Sequence, residues 1–164
     1  MQTTFLSSAR SAAPSINAKT ETVKTDGMFK AAYQSRRALM PINGFFQSKD
    51  IFGAGKNKQP CAIAMKSGEP FALAALWEDW RAPATGDNIR TFKLLTCEPN
   101  PLMATIHNRM PVILAPEDYM TWLTTLTRNI LMKPFPEELM STWKIIFSRC
   151  YVVSMLLNPV LWPL

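Results

Sequence analysis

The chain has 164 residues, of which 48% are hydrophobic and 10% aromatic, enough to bury the core of one domain. With 18 Lys and Arg against 12 Asp and Glu, the net charge is +6, which suits a polyanionic partner but also fits an ordinary soluble basic surface. Three cysteines without a C-x-x-C pair and a single histidine exclude a Cys/His zinc site and indicate a reducing, cytoplasmic compartment. The polar N-terminus lacks the apolar core of a secretory signal. Charges and prolines interrupt the apolar C-terminal run, so we expect no membrane partner.

The chain begins with two polar segments of different character. Residues 1–15 are rich in Ser, Thr and Ala without a period, which is typical of a weakly ordered arm. Residues 17–22 carry more specific chemistry, because the Asn17 amide can bond backbone or ligand and the Lys19 ammonium can reach a phosphate.

A helix and a strand come next. Asp26 is a suitable N-cap for a helix over 26–35, and a strand is predicted over 38–42. Arg36 and Arg37 lie between them. A double arginine is typical of a solvated helix end, and it also fits a groove for DNA.

The middle of the chain alternates strand patterns with turn signals. Gly44 ends the strand before it, and small residues in the second of two antiparallel strands would let another layer pack closely. In chain order, we predict an aromatic turn at Phe45-Phe46, an exposed hairpin loop over 49–59, strands over 60–65 and 71–77, a loop over 81–88 and a strand over 91–97.

The C-terminal half predicts a loop, a buried strand and two helices. The loop 98–101 is punctuated by Pro and Asn, and the strand covers 112–114. Pro116 and the two acids after it favour a helix start, with an apolar face that runs to Leu126. A last short helix is predicted over 137–143.

The only histidine, His107, lies in a dense polar segment that Met110-Pro111 ends. Histidine passes protons near neutral pH, and Arg109 can hold a phosphate or carboxylate. A lone histidine also often has a purely structural role, and both interpretations stay open at this stage.

Four blocks, taken together, resemble the SRAP family, the SOS response-associated peptidases that process abasic sites in single-stranded DNA. The resemblance covers residues 16–143, and an apolar tail over 144–164 diverges from the family. The blocks are INAKTET at 16–22, similar to N-A-R-x-E-T; RRALMPINGFF at 36–46, similar to R-R-C-L-[VI]-P-A-x-G-F-[YF]; FALAALWE at 71–78, similar to F-A-G-L-W-E; and TCEPNPLMATIHNRMP at 96–111, similar to T-x-x-x-N-x-x-x-x-x-I-H-x-R-M-P.

The resemblance implies an α+β fold, a curved and mostly antiparallel β-sheet approaching a barrel, with peripheral α-helices. It implies a partner, single-stranded DNA with abasic sites, and no cofactor or metal; we expect a monomer. In the family, an N-terminal cysteine forms a thiazolidine crosslink with the abasic aldehyde, and an Asn, a Glu and a His assist. These helpers fall on Asn17, Gln47 and His107, and the residues expected to bind DNA are Lys19, Arg36, Arg37 and Arg109.

Two departures from the family pattern bear on catalysis. The family start Met-Cys-Gly-Arg is absent, because this chain begins Met1-Gln2-Thr3. Gln47 replaces the glutamate, and an amide cannot exchange a proton. We therefore expect weakened crosslink, lyase or peptidase chemistry. The alternatives are an inactive DNA-binding relative and an unstable gene product. A Ser or Cys hydrolase is least favoured, because it would need Cys97 or a nearby Ser aimed at His107.

Overall fold

A computed structural model describes residues 17–51, 58–124 and 128–146, and within these ranges it contains two β-sheets and short helices. The predicted arm 1–15 and most of the tail 144–164 lie outside the described residues. The elements are β1 Asn17–Lys19, α1 Lys30–Ser35, β2 Arg37–Ile42, β3 Phe45–Asp50, β4 Lys58–Met65, β5 Phe71–Arg81, β6 Asn88–Cys97, α2 Pro101–Ala104, β7 Met110–Pro111, β8 Ile113–Leu114, α3 Tyr119–Thr124 and β9 Met140–Lys144, with 3-10 helices at Pro116–Asp118, Arg128–Leu131 and Glu137–Leu139.

The larger sheet has the strand order β1-β6-β5-β2, and the short strands β7 and β8 extend it by pairing with β6 and β5. All of these pairs are antiparallel except β1 with β6, which is parallel. The smaller sheet has the order β3-β4-β9 and is antiparallel throughout. The expected mostly antiparallel sheet is therefore confirmed.

Strand β5 lies at the centre, and its first six residues, Phe71–Leu76, are buried on both faces. The face of Leu76 also holds its ladder partner Arg37, whose guanidinium bonds carbonyls of α1 and α3, so the helices cover this face. The face of Phe71 contacts the smaller sheet, because the rings of Phe71 and Phe45 pack edge to face at 6.5 Å. The two sheets share one core in a curled half-barrel with few helices, which confirms the α+β prediction.

Two predicted elements are wrong in the smaller sheet. The segment from Phe45 was predicted as a turn and loop, but Phe45–Asp50 is a strand that pairs with β4. The helix predicted over 137–143 is a 3-10 helix of three residues followed by strand β9. In both cases pairing with β4 decides the conformation, and this long-range contact overrides the local pattern. Gly44 permits the close approach, since a Cβ there would lie 2.8 Å from the Ile63 carbonyl oxygen.

Helix α1 is shorter than predicted. Helix α1 starts at Lys30; Asp26 instead forms a turn before it, accepting a hydrogen bond from Met28 N at 2.8 Å. The helix predicted from Pro116 does begin there, as a 3-10 turn that leads into α3. Trp122 of α3 is fully buried and donates from Nε1 to the Ala38 carbonyl at 3.0 Å. The longest helices in the described ranges, α1 and α3, have six residues each, far fewer than a membrane-spanning helix needs.

The Arg37 guanidinium connects helices α1 and α3 to strand β2, and its removal should lower the stability of the fold. It donates to the carbonyl oxygens of Tyr33 and Gln34 at the end of α1, and to those of Trp122 and Leu123 in α3. We expect Arg37→Met to lower the free energy of unfolding by about 1.5–3 kcal/mol, because charge-assisted, partly buried hydrogen bonds to backbone carbonyls are lost.

Urea unfolding of Arg37→Met, with Lys24→Met as the control at an exposed cation, tests this. Equal midpoints for the two variants would contradict the structural role of Arg37. A parent without a cooperative transition would favour the unstable gene product considered above.

Candidate functional site

Two of the four sequence blocks meet at the end of β6. Strand β1 lies along one edge of β6, with Asn17 opposite Leu94 and Lys19 opposite Thr96. On the other edge, Pro111 of β7 pairs with the same Thr96. The segment 17–22 and the His107 segment are therefore joined through the last residues of one strand.

Arg109 connects these segments by side-chain bonds. Its guanidinium donates to both carboxylate oxygens of Glu21, and it also donates to the Thr96 carbonyl and, at 3.3 Å, to Thr96 Oγ1. A bidentate pair of this kind fixes direction as well as distance. Within the described residues, Arg109 Nε is buried without a hydrogen-bond partner.

The Arg109–Glu21 pair is ionised at neutral pH. The hydrogen bond from Arg109 lowers the pKa of Glu21 to about 2, and the same bond raises the pKa of Arg109. The positive charge of Arg109 is thus compensated by Glu21. A phosphate would have to compete with this carboxylate for the guanidinium of Arg109.

His107 is exposed and oriented by its own loop. Its Nδ1 lies 3.0 Å from the Arg109 backbone N and 3.2 Å from the Arg109 carbonyl oxygen. A neutral ring can accept the N–H at Nδ1 and keep its proton on Nε2, while a protonated ring can donate from Nδ1 to the carbonyl. Both protonation states therefore have a local partner, which suits a general acid/base and equally a histidine that stabilises its turn.

Asn100 anchors the loop that leads to His107, a role that the sequence analysis did not predict. It is buried; its Oδ1 accepts the Met103 amide at 2.8 Å, and its Nδ2 donates to the Phe135 carbonyl at 2.7 Å. The Met103 carbonyl in turn accepts the His107 amide at 2.8 Å. The local signal was Asn followed by Pro, an N-cap residue with proline at the first helical position.

The register places Asn17 and Lys19 on the same face of the larger sheet as Thr96 and Trp77, because ladder partners and alternate residues share a face. Phe71 belongs to this face of β5. Because the rings of Phe71 and Phe45 are in contact, the face of β3 that carries Phe45 lies opposite this face of β5. Gln47 shares the face of Phe45 by the same alternation. Asn17, Lys19 and Gln47 therefore all lie on the concave side of the half-barrel.

Arg36 and Arg37 lie elsewhere. They are at the start of β2, on the opposite edge of the sheet from β1, and three strand spacings correspond to about 14 Å. Arg36 donates to Glu78 Oε2 at 2.7 Å beside an open groove of about 590 Å³, and Arg37 bonds backbone carbonyls. The four predicted DNA-binding cations therefore do not form one cluster.

Cys97 is buried among apolar residues, and its burial raises the pKa of the thiol to about 11. Thiolate is scarce at neutral pH, which argues against the cysteine hydrolase alternative at this residue. In the part of the chain that the structure describes, no three His, Cys, Asp or Glu side chains are close enough to hold a metal ion.

Comparisons with known proteins identify the family of this chain. The sequence profile of the SOS response associated peptidase (SRAP) family matches residues 2–150. The chain belongs to this family. The matched range extends beyond both ends of the domain predicted over 16–143.

Individual SRAP relatives are similar over most of the chain. The chain is 34% identical over 143 residues to the abasic site processing protein YoqW of Bacillus subtilis, which covers 87% of this chain and 61% of that protein. It is 34% identical over 111 residues to the abasic site processing protein YedK of Escherichia coli, covering 67% and 47%. A crystal structure of a Bacteroides thetaiotaomicron protein superposes with a TM-score of 0.73 and 30% identity, covering 79% of this chain and 58% of that one. The chain thus spans less than two thirds of the length of these SRAP relatives.

The Arg109–Glu21 pair should make stability depend on pH. Because the pKa of Glu21 is lower in the folded state, its contribution is complete above the unfolded value near 4.5 and is lost as the pH falls through about 2. The carboxylate is 45% exposed, so we expect Glu21→Gln to cost at most about 1 kcal/mol at pH 7.

Urea unfolding from pH 7 to 2.5 measures this difference, with Glu69→Gln as the control at an exposed carboxylate. The gap between parent and Glu21→Gln should shrink towards the acid end. A gap that grows with falling pH, or equals that of Glu69→Gln throughout, would contradict the ion pair.

Proposed function

We propose that this protein recognises abasic sites in single-stranded DNA, with the ends of β1 and β6 and the His107 loop as its site. The observation that carries the proposal is the bond network of Arg109, which holds the 17–22 segment and the His107 segment against Thr96. Family membership and the names of the relatives, abasic site processing proteins, support abasic sites as the target. The chain spans less than two thirds of its relatives' length, so any activity of a whole SRAP protein is also proposed here for this chain.

The DNA backbone would be bound by exposed cations that are not already neutralised. Lys19 is exposed on the concave face two residues from Asn17, and it can pair with a phosphate next to the sugar. Arg36 would add positive charge at the opposite edge of the larger sheet, although its ion pair with Glu78 compensates part of that charge. We assign Arg37 and Arg109 to positioning, because Arg37 already donates to backbone carbonyls and the terminal nitrogens of Arg109 already donate to Glu21 and Thr96.

The reacting centre would be the open-ring aldehyde of the abasic sugar. An amine of the protein attacks the aldehyde carbon, water leaves, and a C=N bond forms. Asn17 would hold the sugar by hydrogen bonds, and His107 would donate and take the protons of these steps from its exposed ring.

Gln47 favours a second candidate function, binding without covalent chemistry. It faces the concave side where the SRAP resemblance places a glutamate, and its amide holds hydrogen bonds but transfers no proton. The two candidates differ in one outcome, the formation of a trapped adduct.

Denaturing gel electrophoresis after incubation with a single-stranded oligonucleotide bearing one abasic site tests the proposal. Because an imine hydrolyses back to amine and aldehyde unless its C=N bond is reduced, we expect a shifted band mainly when borohydride is present. Salt-sensitive binding of the oligonucleotide without any shifted band would support the binding-only function. No binding at all would overturn the proposed function.

Two variants locate the chemistry. His107→Ala should lower the trapping rate about 100-fold or more, since general acid/base groups contribute at least that factor. Gln47→Glu should raise the rate, whereas the control Gln34→Glu, at an exposed residue of α1, should not. Equal trapping by parent and His107→Ala would remove His107 from the mechanism.

A further inference from the structure

Strands β5 and β6 continue as a hairpin beyond their neighbours. Strand β2 pairs with β5 only up to Leu76, and β1 pairs with β6 only from Leu94 to Thr96. Within the described residues, the ladder positions 78–81 and 88–91 pair only with one another. The hairpin is thus an extension of the sheet beside the site.

One face of this extension carries an aromatic and arginine cluster. Trp77 and Phe92 are direct ladder partners, and the guanidinium of Arg90 lies over the Trp77 ring at 4.2 Å from its centroid. Phe92 is 56% exposed. We refer to Trp77, Arg90 and Phe92 as the aromatic platform.

Asp79 holds the platform in place. Both of its carboxylate oxygens accept from Arg90, at 2.7 and 2.9 Å, which fixes the guanidinium plane over Trp77. The same bonds lower the pKa of Asp79 and raise that of Arg90, so both stay charged near neutral pH. The charge of Asp79 is therefore compensated by Arg90.

The platform is continuous with the proposed site. Leu94 lies between Asn17 on one edge and Ala75 on the other, so Asn17 and the platform share the concave face two residues apart along β6. The charged residues of β1, β5 and β6 on this face are three cations and one carboxylate: Lys19, Arg81, Arg90 and Asp79.

We propose that the aromatic platform stacks one or two bases of the single strand next to the abasic sugar. This inference rests on the proposed function and adds the base-binding part of the same site. Aromatic faces and guanidinium planes stack on any base, so the contact is tolerant of sequence. The excess of positive charge on the face suits the phosphates between those bases.

The test is the dissociation constant for single-stranded DNA with one abasic site, measured by fluorescence anisotropy. Phe92→Ala should weaken binding about 5- to 150-fold, the effect of losing one stacked base. Phe92→Tyr should bind like the parent. The matched control is Phe46→Ala, a 64% exposed phenylalanine on the smaller sheet, whose alternation with Phe45 puts it on the convex side.

The salt dependence separates stacking from charge. Phe92→Ala should leave the slope of log K against log salt unchanged because no phosphate contact is lost, whereas Lys19→Gln should reduce it by about 0.7. Tight binding by the parent with equal affinities for Phe92→Ala and Phe46→Ala would overturn the platform and leave the proposed function standing. A parent that does not bind single strands would overturn both.

Discussion

The ion pair between Arg109 and Glu21 is the interaction on which the candidate site depends. Strand β1 has only three residues, and its parallel ladder with β6 is too short to position a side chain firmly by itself. Arg109 adds bonds to Glu21 and to Thr96, which is also the ladder partner of Lys19. One guanidinium therefore sets where Asn17 and Lys19 lie relative to the His107 loop.

The side chains of Asn100, which is buried, and Arg37, which is half-buried, connect other segments of the half-barrel. Asn100 caps α2 and fixes the loop that ends in His107, while Arg37 closes the carbonyl ends of two short helices. Each combines hydrogen bonds to nearby backbone with hydrogen bonds to backbone distant in sequence, so each joins separate parts of the chain. These bonds hold together the elements that surround the concave face.

Alternation in the sequence predicts the main strands of the larger sheet, and the resemblance of local motifs predicts the family and, through it, the fold class. The sequence pattern fails for β9 and for Phe45–Asp50, where pairing with β4 decides. It also cannot separate Arg36, Arg37 and Arg109 by role. Three similar side chains differ only in whether a carboxylate or a carbonyl from another part of the chain lies within reach. The aromatic platform was missed because Trp77 and Phe92 meet only across the β5–β6 ladder.

Native-state hydrogen exchange of Arg109→Gln tests the central claim most directly. The reporter is the Thr20 amide, which donates to the Thr96 carbonyl at 3.0 Å, and the Ala74 amide in the core, which donates to the Val112 carbonyl, is the internal reference. If Arg109 holds β1 on β6, Thr20 should exchange about five- to tenfold faster in the variant, corresponding to about 1–1.4 kcal/mol of local opening, while Ala74 is unchanged. Equal exchange of Thr20 in parent and variant would contradict the account.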